Sequence, residues 1–140
     1  MPTHTNFTCV ILESPFAHEK EFERNIAYTR ACMRDCLLKG EAPFASHLLY
    51  TQIGILNDLD PYERALGIEA GLQWGVAASK SVVYIDLGIS AGMRQGIQRA
   101  LEEGRTIEQR NLPGFQEWFR SYQLLSTSCT GVSGSEHLIK

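Results

Sequence analysis

A chain of 140 residues, 44% of them hydrophobic and 21% charged, is long enough to bury a core of its own as one domain. Its net charge of −3 comes with no basic stripe, which excludes a nucleic-acid polyanion as partner. No apolar run approaches the roughly 18 residues of a membrane span, and Met1 to Asn6 lack the charged and apolar regions of a secretory signal. The expectation is a cytoplasmic protein away from membranes.

Phe7 to Leu12 is an apolar, β-branched run and reads as a buried first strand. Ser14-Pro15 ends it, because proline cannot continue a ladder. From Glu19 to Lys39, Phe22, Ile26, Met33 and Leu37, with Thr29 in step, recur at helical spacing. Gly40 suits the left-handed cap that closes such a helix. Ala42 to Ala45 reads as a second strand, and Ser46 to Leu56 as a short helix or an irregular lid. Asp60-Pro61 starts a further helix to about Ala78, with Ala65, Ile68, Leu72 and Val76 as its buried stripe. Val82 to Ile85 is the third strand. Ser90 caps the next helix, which carries Met93, Ile97 and Leu101 and closes at Gly104, and Thr106 to Gln109 reads as a fourth strand.

Strands alternating with helices imply a parallel sheet with right-handed crossovers. The fold class is therefore α/β: one flavodoxin-like or Rossmann-like domain, with four to five strands and helices on both faces. That domain spans residues 1–112. Phe115, Trp118, Phe119 and Tyr122 mark an aromatic helix over residues 113–125, and the small, polar residues 126–140 read as a disordered tail. Cys9, Cys32, Cys36 and Cys129 include no second pair and no close histidine to complete a metal set, so they read as reduced thiols, and no metal is expected.

In open parallel sheets, ligands bind beyond the carboxyl ends of the strands. The polar residues there are Glu13 and Ser14 after strand one, His47 after strand two, and Asp86 with Ser90 after strand three. Gly88 and Gly92 let backbone approach a ligand closely. Glu63 and Glu69, on the preceding helix, are within reach of the rim. There is no Walker-type loop for a nucleoside triphosphate. Gly88-Ile89-Ser90-Ala91-Gly92 has the spacing of a nucleophile elbow, but only His137, in the tail, follows it to complete a triad.

Val10-Ile11-Leu12-Glu13-Ser14-Pro15-Phe16, Ala42-Pro43-Phe44-Ala45-Ser46-His47, Gly67 to Trp74 and Tyr84 to Met93 together resemble the nucleoside 2-deoxyribosyltransferase superfamily, which includes nucleotide N-glycosidases. The likeness covers about Phe7 to Gln109 and is to a phage- and bacteria-associated branch. It implies a strand-end pocket that binds a nucleoside or nucleotide and cleaves or exchanges its N-glycosidic bond, with no cofactor. It also implies a homodimer or higher homo-oligomer, sealed by Phe115, Trp118 and Phe119. Asp86 matches the strand-end acid and Glu69 stands in from the preceding helix as the catalytic pair. Glu13, Ser14, Pro15, Phe16, His47, Gly88, Ser90, Gly92 and Met93 would bind substrate. The chain departs from the pattern where the family's catalytic glutamate usually stands: here that position is Gly96, next to Gln95. This departure leaves a second reading open, a nucleotide-binding protein that sequesters a signal or metabolite without turning it over.

Overall fold

The computed structural model of the chain describes residues 6–16 and 21–130, and of residues 127–130 only the backbone. Chain order is β1 (Thr8–Glu13), α1 (Phe22–Leu38), β2 (Glu41–Phe44), a 3-10 turn (Ser46–Leu48), α2 (Pro61–Gln73), a second 3-10 turn (Trp74–Ala77), β3 (Lys80–Tyr84), α3 (Ala91–Glu102), β4 (Thr106–Arg110) and α4 (Phe115–Thr130). The four strands form one parallel sheet in the order β2-β1-β3-β4. The α/β class and parallel sheet expected from the sequence are what the chain adopts.

Alternation along the strands sorts residues between the two faces. Val10, Leu12, Val82 and Tyr84 point to one face, where Tyr28, Cys32 and Cys36 of α1 and Phe115 and Phe119 of α4 complete the core. Burying an aliphatic side chain of this kind stabilises the fold by about 1.5–3 kcal/mol. Cys32 and Cys36 are buried free thiols and Cys9 is exposed; the side chain of Cys129 lies outside the described residues. The opposite face, carrying Ile11, Glu13, Ser81 and Val83, is covered by α3 and, toward β1, by α2 and its 3-10 extension.

Two helices are turned by one residue from the expected stripes. On α1 the buried set is Asn25, Tyr28, Thr29, Cys32 and Cys36, while Phe22 and Leu37 are exposed. On α3, Met93, Gly96 and Ala100 are buried and Leu101 is exposed. Helix α2 departs further. It ends at Gln73 rather than Ala78, and Ala65 and Val76 face solvent. Its contact face is made of glycines instead. A Cβ at Gly71 would stand 2.5 Å from the Cβ of Ser46, and one at Gly75 would stand 2.6 Å from Nη1 of Arg105. An apolar-periodicity reading counts glycine as neutral and so misses a helix that packs by backbone approach.

Caps follow the sequence closely. Asp60 accepts hydrogen bonds from Tyr62 and Glu63 N–H, and Ser90 from Met93 N–H. Gly40 has φ of 79° where α1 closes. Helix α4 runs through Thr130, past the boundary expected at residue 125; the remainder of the expected tail, with His137, lies outside the described residues.

Candidate functional site

The sheet order places β1 between β2 and β3, so successive connections leave β1 in opposite directions. Such a switch point opens a crevice at the carboxyl ends of β1 and β3. A cavity of about 100 Å³ lies there. Glu13, Ser14 and Phe16 line it from the end of β1, His47 from the 3-10 turn after β2, and Ser90, Gly92, Met93, Gln95 and Gly96 from the start of α3. This volume is below the several hundred Å³ of a drug-sized site and has room for about one ring. The mouth is formed by the segment leading into α2. There Arg64 pairs with Asp58 at 2.9 Å, and Glu63 Oε1 accepts the Asn57 N–H at 2.8 Å.

Two titratable groups inside are shifted in opposite directions, both by burial. Burial raises the Glu13 carboxyl to about 8, with the distant positive charge of Arg105 working against it. That guanidinium is held by Ser81 Oγ at 2.9 Å, the Gly75 carbonyl at 3.0 Å and Glu103 at 2.6 Å. Burial also pushes His47 down to about 4. At neutral pH the cavity therefore holds a protonated carboxylic acid and an uncharged imidazole.

Two hydroxyls tie the His47 ring in place. Thr29 Oγ1 donates to the Asn25 carbonyl at 3.0 Å. Ser14 Oγ lies 2.6 Å from Thr29 Oγ1, and either hydroxyl can donate to the other. His47 Nε2 lies 3.0 Å from Ser14 Oγ and 3.2 Å from Thr29 Oγ1, as donor or acceptor according to the ring's tautomer. Phe16 packs edge-on against the ring, with centroids 5.6 Å apart.

Seven residues expected at the site thus line one cavity: Glu13, Ser14, Phe16, His47, Ser90, Gly92 and Met93. Four do not. Pro15 is buried outside the lining, and Gly88 forms the turn after β3, with φ of 86°. Glu69 is on the outer side of α2, paired with Arg99 at 3.0 Å. Asp86 shares the edge but not the face. It continues the Val82, Tyr84 alternation toward α1 and α4, where it accepts Tyr28 O–H at 2.5 Å and Leu112 N–H at 2.8 Å. The two acids expected to act together are on neither side of this cavity. Sequence reading missed Gly96, which matters here for its missing side chain, and Asp58 and Arg64 at the mouth. Parity along β1 and β3 was the available signal that separates Glu13 from Asp86. Among the described residues, no group of three or more His, Cys, Asp or Glu is placed to hold a metal ion.

Fold and cleft define a flavodoxin-like α/β protein with a crevice at its topological switch point. Residues 8–110 match the family described as Domain of unknown function (DUF7768), and the chain belongs to that family. No curated protein and no solved structure matches it. None of the helices among the described residues is long and apolar enough to cross a membrane.

Proposed function

We propose that the chain binds a nucleoside or nucleotide in the switch-point cavity and cleaves or exchanges its N-glycosidic bond. The observation that carries this reading is that the Glu13 acid and the uncharged His47 ring line one cavity at the strand ends. Breaking a base–sugar bond builds positive charge on the sugar and requires a proton for the departing base. A cavity enclosing a single ring, with a proton donor and an acceptor inside, suits one of those two rings. No cofactor enters such a reaction. The reading carries with it a cytoplasmic enzyme working as a homo-oligomer. Phe115 and Phe119 are committed to the chain's own core, however, and only Trp118, 54% exposed, is left of the expected aromatic seal.

A second reading has its own support. Gln95 and Gly96 offer no carboxylate on α3, and Asp86 is engaged by Tyr28 and Leu112 outside the cavity, which favours capture of a nucleotide without turnover. Mass spectrometry separates the two. Purified protein is incubated with nucleosides, nucleotides and cyclic or pyrophosphate-linked nucleotides, and both supernatant and heat-released ligand are analysed. Free or exchanged base supports the enzyme. Intact ligand, recovered only after denaturation, rejects it in favour of capture.

A further inference from the structure

We propose that Glu13 is the acid that protonates the departing base, and that Gly96 is the gap in α3 that lets the Glu13 carboxyl stand in the cavity. This rests on the reading of the cleft as an N-glycosidic site. A Cβ at position 96 would lie 2.5 Å from Cδ and 2.8 Å from Oε1 of Glu13. Any other residue there would occupy the space that the carboxyl now fills. Gly96 is buried in the middle of a helix, where glycine costs about 1 kcal/mol relative to alanine. The carboxyl is the group that gains from that cost.

The position of Glu13 suits a donor. It is the last residue of a central strand, where its backbone pairs with Val83 of β3. Its side chain separates the main cavity from a smaller one of about 30 Å³, which Arg105 also lines. The charged or titratable groups around it are Arg105 just before β4, His47 from the 3-10 turn, Tyr50 after it, and Asp58, Glu63 and Arg64 at the mouth; α3 presents only Gly92, Met93, Gln95 and Gly96. Burial outweighs Arg105, and the carboxyl keeps its proton at neutral pH. A neutral carboxylic acid is a poor nucleophile and a competent general acid, which decides between the two roles.

The step balances with water as co-reactant. As the bond between the sugar's anomeric carbon and the base nitrogen breaks, its electron pair leaves with the base, and the Glu13 O–H proton moves to a base nitrogen. Water then adds to the anomeric carbon and gives its proton to the Glu13 carboxylate. The enzyme is regenerated, with free base and free sugar as products. In exchange, a second base replaces water.

Wild type, Glu13→Gln and Gly96→Ala are each incubated with the four deoxynucleosides and their 5′-monophosphates, and free base is measured by mass spectrometry across pH 5–10. Wild type is expected to release base at a rate that falls above about pH 8, as the acid form is lost. Glu13→Gln, nearly isosteric, should retain ligand within a few fold while releasing base roughly 10²–10⁴-fold more slowly, without that pH dependence. Gly96→Ala meets only the far end of a flexible side chain, so it should fold normally, displace the carboxyl and lose activity to a similar degree. Base release by Glu13→Gln within about ten-fold of wild type, on the same pH profile, overturns the role of Glu13 and leaves the N-glycosidic reading standing. Full activity in Gly96→Ala overturns the role of the gap. No base from wild type at all overturns the N-glycosidic reading, and the role of Glu13 with it.

Discussion

The two faces of the sheet treat their polar residues in opposite ways. On the α1 side, every charged group named has partners. Arg110 of β4 makes paired bonds to Glu41 of β2 at 2.7 and 2.6 Å, and Glu41 also takes Lys80 at 3.0 Å. Tyr84 O–H donates to Asp35 at 2.7 Å, and Asp86 is held by Tyr28 and Leu112. On the α3 side, Glu13 is held in its uncharged form by burial. Arg110 keeps the Glu41 carboxyl at about 2, whereas the Glu13 carboxyl sits near 8. The same side chain is made permanently charged on one face and reluctant to charge on the other. The first arrangement holds strands together; the second keeps a proton available.

The largest way to break that contrast is Arg110→Met. It strands the Glu41 carboxylate with only Lys80 beside it, and urea denaturation should show a loss of about 3–5 kcal/mol. A loss under about 1 kcal/mol would mean the pair contributes no more than a surface bridge.

Glu13→Gln should act in the reverse sense. Folded Glu13 releases its proton near 8 and the free side chain near 4.5, so folding takes up a proton between these values and stability falls as pH rises through the window. His47 opposes this below 6.5: its folded value near 4 against 6.5 when free makes stability rise with pH. The two offset up to about pH 6.5, and a net fall remains from there to about 8. Removing the acid should therefore stabilise the protein by about 2–3 kcal/mol at pH 7 and flatten the fall. A profile unchanged by the substitution would place Glu13 in water.

Asp86→Asn replaces an acceptor that serves two donors with a group that presents a donor of its own. It should cost about 1–3 kcal/mol while base release stays within about three-fold of wild type. Loss of turnover with unchanged melting would return the chemistry to Asp86. The smallest effect is expected from Glu69→Gln. That carboxylate is exposed and held at the surface by Arg99 and Gln73, so neither melting temperature nor base release should move measurably.

Strand order of types, caps and the edge that carries the cavity were legible in the sequence, because each has a local cause. Val82 and Val83 mark β3, Asp60 and Ser90 supply side-chain oxygens to helix starts, and Gly40 supplies a left-handed turn. Glu13, Ser14, His47 and Ser90 were placed at one edge by topology alone. What escaped was set by neighbours distant in sequence. Tyr28 buries its ring on α1 because Asp86, 58 positions away, accepts its hydroxyl, and that turns the helix from its apolar stripe. Gly71 and Gly75 signal nothing until Ser46 and Arg105 are seen against them. Gly96 reads as a lost carboxylate in sequence and as room for one in three dimensions.

Outer strand β2 is only Glu41–Phe44, with Pro43 inside it, and a proline has no N–H to offer a further strand. At the other margin, β4 carries Glu108 and Arg110, both engaged in ion pairs. A sheet bounded in this way resists growth by strand addition. Copies of the chain thus find poor footing for association along these margins, and so does a partly unfolded chain for runaway aggregation.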